Sequence, residues 1–160
     1  RKHKATVEAW LAEGFAAVQM PGRFEVVGRE PTVILDAAHN ADGARACAET
    51  LREEFTLGGT IVMVAGFLEG RDPVEMLDAL GAADAGLRIA CAPDSPRAIP
   101  APRVAAAADS LGVAAESVPT VDEAVRRALG VASADDLVLI TGSLYVVGPA
   151  RTALRAEVQS

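Results

Sequence analysis

Four short apolar runs punctuate the chain: Thr32–Asp36 (TVILD), Thr60–Gly66 (TIVMVAG), Gly86–Ala92 (GLRIACA) and Asp136–Gly142 (DLVLITG). None alternates cleanly between apolar and polar positions, and each is bounded by Gly, Pro or Asp. Strands covered on both sheet faces have this pattern. A fifth run, Phe24–Gly28, stops before Pro31 and reads as an edge or antiparallel strand, and Glu116–Val118 is a weaker sixth. Segments of helical period lie between the runs. Ala44, Cys47, Ala48, Leu51 and Phe55 form one apolar stripe, and Val104, Ala107, Ala108 and Leu111 another. Asp72-Pro73-Val74-Glu75 supplies an N-cap, a proline at the first helical position and an acid in the first turn. Thr120-Val121-Asp122-Glu123 is a capping box followed by Ala124, Val125, Ala128 and Leu129. Beyond Ser143, the residues Val147, Ala150, Leu154 and Val158 predict a closing helix. Alternating strands and helices predict an α/β fold, a mainly parallel sheet with helices on both faces.

Composition narrows the class. At 160 residues there is room for one domain of ordinary size. Apolar residues make up 51% and charged residues 23%, which excludes intrinsic disorder. The net charge of −7 argues against a nucleic-acid surface, which needs a basic stripe. No apolar run approaches the roughly 20 residues that span a bilayer, and Arg1-Lys2-His3-Lys4 leads into no signal-type apolar core. The expectation from composition is a soluble, intracellular, single-domain protein with no membrane or nucleic-acid partner; it is further taken to be cytoplasmic and a monomer. Cys47 and Cys91 read as structural thiols, and no His, Cys and acid cluster has metal-ligand spacing. Val7, Trp10 and Leu11 make a short helical stripe interrupted at Gly14, outside the strand–helix alternation.

In an open parallel sheet, ligands bind beyond the carboxyl ends of the strands. The first run ends in Asp36-Ala37-Ala38-His39-Asn40, with a helix starting near Ala41. An acid, an imidazole and an amide thus meet at one strand tip beside a helix N-terminus, which favours anions. Spacing alone leaves open that Asp36 or Asn40 only caps the helix and that His39 is a surface residue. Thr141-Gly142-Ser143 ends the last run with small and hydroxyl residues, suited either to close ligand approach or to an ordinary N-cap. Arg71, in Glu69-Gly70-Arg71-Asp72, suits a phosphate or carboxylate, or a solvated loop. Arg23 follows Pro21-Gly22 in a turn before the edge strand. Neither GxxxxGK[ST] nor GxGxxG after a strand is present, so the chain carries no phosphate cradle of its own.

These segments together resemble the C-terminal domain of the Mur ligase superfamily, and within it the folylpolyglutamate synthase/dihydrofolate synthase family. The resemblance rests on PGRFEVV at Pro21–Val27, ILDAAHN at Ile34–Asn40, GFLEGRDPVEML at Gly66–Leu77, SPRA at Ser95–Ala98 and LITGSLYVVGPAR at Leu139–Arg151. A looser PGR…DxAHN is shared with the peptidoglycan-building Mur ligases, and the TGSLY ending favours the folate branch. Met20 stands where the family usually has Trp, and Gly70-Arg71-Asp72 replaces Asp-Lys-Asp.

The resemblance implies a three-layer α/β/α, Rossmann-like domain over residues 19–160, with residues 1–18 as the tail of a preceding domain plus linker. It implies an N-terminal domain carrying a P-loop and the Mg2+ ligands. ATP then phosphorylates a folate or dihydropteroate carboxylate, and the amino group of L-glutamate attacks the acyl phosphate. Residue by residue, Arg23 and Asp36 contact ATP, His39 and Ser143 help place glutamate, and Asn40 supports the loop. Arg71 keeps a positive charge on the cofactor side. A chain with no initiating Met that opens in a helical stripe fits a fragment, inactive alone. Two other readings stand beside this one: a stand-alone nucleotide or amino-acid binding module, and a Mur ligase domain acting on a peptidoglycan precursor.

Overall fold

The computed structural model describes residues 22–160. The expectations for residues 1–18 and for Met20 lie outside the described residues. Six strands form one sheet in the order β1-β2-β6-β3-β4-β5. They are β1 (Glu25–Arg29), β2 (Thr32–Asp36), β3 (Ile61–Ala65), β4 (Leu87–Ala92), β5 (Glu116–Thr120) and β6 (Leu137–Thr141). All neighbours run parallel except β1, which lies antiparallel on β2 with Glu25 opposite Leu35. The unbroken apolar runs are the central strands: β2 and β6 are buried at every position, as two-sided coverage requires. β5 is an edge strand with no fully buried residue, which explains its faint sequence signal.

Helices α1 (Ala41–Glu54), α2 (Pro73–Ala79) and α3 (Ala101–Ser110) cover one face, packing Cys47, Leu51, Leu77 and Val104 against Ile34, Met63 and Leu139. The other face carries α4 (Val121–Val131) and α5 (Leu144–Gln159), which set Val125, Val146 and Ala150 against Leu35, Val64 and Ile140. Both predicted caps form: Asp72 accepts from Val74 N–H, and Thr120 accepts from Glu123 N–H.

The order of connections decides where a ligand fits. The helices that follow β2 and β3 lie on one face, whereas α5, following β6, lies on the other. The chain therefore diverges on both sides of the β6 tip, and a crevice opens where neighbouring strands send their helices to opposite faces. Asp36 pairs in register with Thr141, so the Asp36 and Ser143 strand tips share the carboxyl edge of the sheet, as the sequence predicts.

Candidate active site at the carboxyl edge

The residues after β2 organise the first half of the site. Asp36 is buried, and its two carboxylate oxygens each accept one backbone N–H, from Phe24 at 3.0 Å and from Ala38 at 2.8 Å. Burial pushes its pKa above the ordinary carboxylate value, while these two hydrogen bonds and the nearby Arg23 charge pull it back. Each oxygen keeps a lone-pair direction for a further donor. Asn40 caps α1, accepting from Gly43 N–H at 2.8 Å. His39 between them is exposed, with Nδ1 3.3 Å from the Ala37 carbonyl oxygen.

The turn before β1 is held against this tip. Gly22 adopts φ +82°, and Ala37 N–H donates to its carbonyl. Phe24 has φ +45°, a left-handed conformation that costs a bulky residue about 1–3 kcal/mol. Its ring is nonetheless buried against Phe55, with centroids 5.9 Å apart. Such strain persists only where the surroundings over-determine it, and it clusters at functional sites. Between Gly22 and Phe24, Arg23 reaches into solvent, and it has no ion-pair partner among the described residues.

Two concavities result. The first, about 310 Å³, runs from Arg23, Asp36 and Asn40 along α1 to Cys47 and Thr50. The second, about 290 Å³, lies over the β6 tip and is lined by Arg71, Arg97, Glu69, Ser143 and Tyr145. His39 lines both. The sequence-predicted residues therefore fall into two groups. Arg23, Asp36 and Asn40 come together, whereas Arg71 joins Ser143 in the second concavity, away from the group assigned to the cofactor.

Ser143 is buried and caps α5 by accepting from Tyr145 N–H at 2.9 Å, so it is an N-cap and a wall of the second concavity at once. Gly142 before it has φ +118°, and a Cβ there would lie 2.0 Å from the Gly66 carbonyl oxygen. Only glycine permits that crossing of the β6 and β3 tips. Arg97 is a lining residue for which sequence reasoning found no role, although SPRA was among the quoted motifs. It is brought in by a short antiparallel contact of Leu68 with Ala98, reinforced by Glu69 N–H donating to the Arg97 carbonyl and Ile99 N–H to that of Phe67. Glu69 is neutralised by an ion pair with Arg103, so Arg71 and Arg97 set the sign of this rim. Both cysteines are free and buried; burial raises both thiols, that of Cys91 to about 12, which fits the structural reading.

Comparison with known proteins agrees with this fold. The Mur ligase, glutamate ligase domain family matches residues 22–144. A probable bifunctional folylpolyglutamate synthase/dihydropteroate synthase of Halobacterium salinarum is 41% identical over 143 residues, covering 89% of this chain and 17% of that protein. The folylpolyglutamate synthase of Lacticaseibacillus casei is 30% identical, covering 90% of this chain and 32% of the relative. A crystal structure of a bifunctional folylpolyglutamate synthase/dihydrofolate synthase with Mn, AMPPNP and L-glutamate bound superposes with a TM-score of 0.78 at 30% identity, over 87% of this chain and 32% of that one. The chain thus spans about a third or less of the length of these relatives. With the strand order, the DAAHN tip and the TGSLY crossing in place, the chain belongs to the Mur ligase glutamate ligase domain family and is a C-terminal domain of the folylpolyglutamate synthase/dihydrofolate synthase type.

Proposed function

We propose that this domain is one wall of the active site of an ATP-dependent ligase that joins L-glutamate to dihydropteroate or folate through an acyl phosphate. The observation that carries the reading is the pair of concavities meeting at His39, one beside a free guanidinium and a buried carboxylate, the other rimmed by two arginines at a helix N-terminus. ATP and an amino acid are ligands of matching chemistry. When bound, ATP supplies the phosphoryl group that activates the pterin-side carboxylate.

The chain's own residues bind and orient. Arg23 offers a charge-assisted contact to phosphate, and Asp36 accepts from ribose hydroxyls with the lone pairs its backbone partners leave free. Asn40 keeps the loop in shape by capping α1. His39 and Ser143 place the glutamate, whose negative charge the Arg71 side of the second concavity favours. Among the described residues no group of three or more His, Cys, Asp or Glu could hold a metal ion, and the reading assigns the Mg2+ ligands and the P-loop to a separate N-terminal domain. No helix among the described residues is long and apolar enough to cross a membrane. The proposed ligase is taken to be cytoplasmic and to work as a monomer.

Steady-state kinetics of the complete ligase, varying each substrate separately, test the roles. Arg23→Ala and Asp36→Ala are expected to weaken ATP use, and His39→Ala and Ser143→Ala mainly glutamate use. If all four raised only the pterin KM, the assignment would be wrong.

A further inference from the structure

The strained turn at Phe24 is held by more than the β2 tip. Gly22 N–H donates to Glu25 Oε2 at 2.9 Å, so the first residue of the strand reaches back to the turn that precedes it. The same carboxylate receives a two-pronged hydrogen bond from Arg151, Nη1 to Oε1 at 2.6 Å and Nη2 to Oε2 at 2.7 Å. Both side chains of this pair are three-quarters buried. Arg151 belongs to α5, two turns beyond the Ser143 cap, and lines neither concavity. One carboxylate thus knots three things together: the turn bearing Arg23, the edge strand, and the helix whose first residues wall the second concavity. The two ends of this link lie 126 residues apart in the chain.

A stabilising ion pair need not sit here. The protein has another two-pronged pair, Arg127 with Glu116 at 2.9 and 2.8 Å, but it is exposed and joins α4 to the far edge strand. The Glu25–Arg151 pair differs in being shielded from solvent, in sharing its carboxylate with a backbone N–H, and in bracing the left-handed Gly22-to-Phe24 turn. Planar two-pronged pairs fix orientation as well as energy, which is what a strained turn needs to present one side chain in one direction.

We infer that the Glu25–Arg151 fork is a positioning device that clamps the Gly22–Phe24 turn to α5 and so aims Arg23 at the anionic ligand of the first concavity. The inference rests on the proposed assignment of Arg23 to ATP. Arg151 touches no ligand and acts through Glu25 and the turn.

Two measurements test it. In the 160-residue chain, Arg151→Met should speed amide hydrogen exchange at Phe24 and Ala37 about tenfold, while Leu139, in the central strand, keeps its protection. In the complete ligase, Arg151→Met should raise the ATP KM about tenfold, with kcat and the glutamate KM within about threefold. Arg127→Met should change none of these, and Arg151→Lys, which keeps the charge but not the fork, should recover part of the ATP KM. Wild-type protection of Phe24 and Ala37 in Arg151→Met would overturn the clamp whatever the ligand. Lost protection with an unchanged ATP KM, where Arg23→Ala raises it, would overturn the aiming role alone. An Arg23→Ala enzyme with wild-type ATP KM would instead overturn the assignment of Arg23 to ATP, and the inference with it.

Discussion

Asp36 and Glu25 are carboxylates on the two neighbouring strands β2 and β1, and their surroundings shift them in opposite directions. Arg151 holds the Glu25 pKa below its usual value, so the stabilisation it brings is present above the ordinary glutamate range and is lost as pH falls through the lowered value. Burial raises Asp36, so its contribution is complete below the ordinary aspartate range and is lost as pH rises through the raised value. Acid therefore releases the fork while easing the burial of Asp36. Urea midpoints measured at pH 7 and again near pH 3 should show a smaller fall for Arg151→Met than for the wild type, because the variant has no fork left to lose. Thr141 offers a second test at this scale. Its hydroxyl is fully buried with no hydrogen-bond partner among the described residues, on the face that also holds Leu139. Thr141→Val keeps the shape and removes the unpaired group, and it should stabilise by about 1 kcal/mol in urea denaturation. Destabilisation would mean that the hydroxyl has a partner.

At the scale of elements, the crossing of the β6 and β3 tips is the least forgiving place. Gly142→Ala should cost about 3 kcal/mol or more, because its Cβ meets backbone on a strand that cannot move without disturbing the sheet centre. Leu139→Ala, in a strand buried at every position, should cost about 2–5 kcal/mol. Thermal melts of both variants would check the ranking against an exposed change such as Glu123→Ala, a few tenths. The same contrast explains which elements were legible in the sequence. TVILD and DLVLITG announced themselves because burial on both faces leaves no room for polar positions. ESVPT was faint because an edge strand with a proline in it buries little, and its Thr120 serves as a helix cap. The PGR turn read as unremarkable because a positive φ at Phe24 has no local signature: it is imposed by Asp36, Phe55 and Arg151, all distant in the chain. Asp36, His39, Asn40 and Ser143 stood out because they follow apolar runs, whereas Arg97 is placed by a loop-to-loop contact that no periodicity announces. Spacing also could not show that Arg71 falls beside Ser143 instead of Arg23, since that depends on β6 inserting between β2 and β3.

For the molecule as a whole, the proposal limits what this chain does by itself. Arg23 and Asp36 supply two charge-assisted contacts of about 1.5–3 kcal/mol each. Association costs about 4 kcal/mol or more, and even a 1 mM Kd needs about 4.1 kcal/mol net. Calorimetric titration with Mg-ATP should therefore find millimolar or weaker affinity and no ligation; a micromolar Kd would favour a self-contained nucleotide-binding module. The antiparallel edge strand has a further bearing on how such a domain is joined to others. Because β1 runs against β2, residue 22 meets the sheet at its carboxyl edge, beside both concavities. Had β1 run parallel, the chain would arrive at the opposite edge, about 17 Å away for a five-residue strand. Residue 22 thus stands on the ligand side, and a segment ahead of it need not cross the sheet to reach the concavities. α5 leads the other way, and its 16 residues carry the chain about 24 Å from Ser143. Upstream fusions of altered length should disturb ligand use, whereas cargo attached after Ser160 should leave it alone.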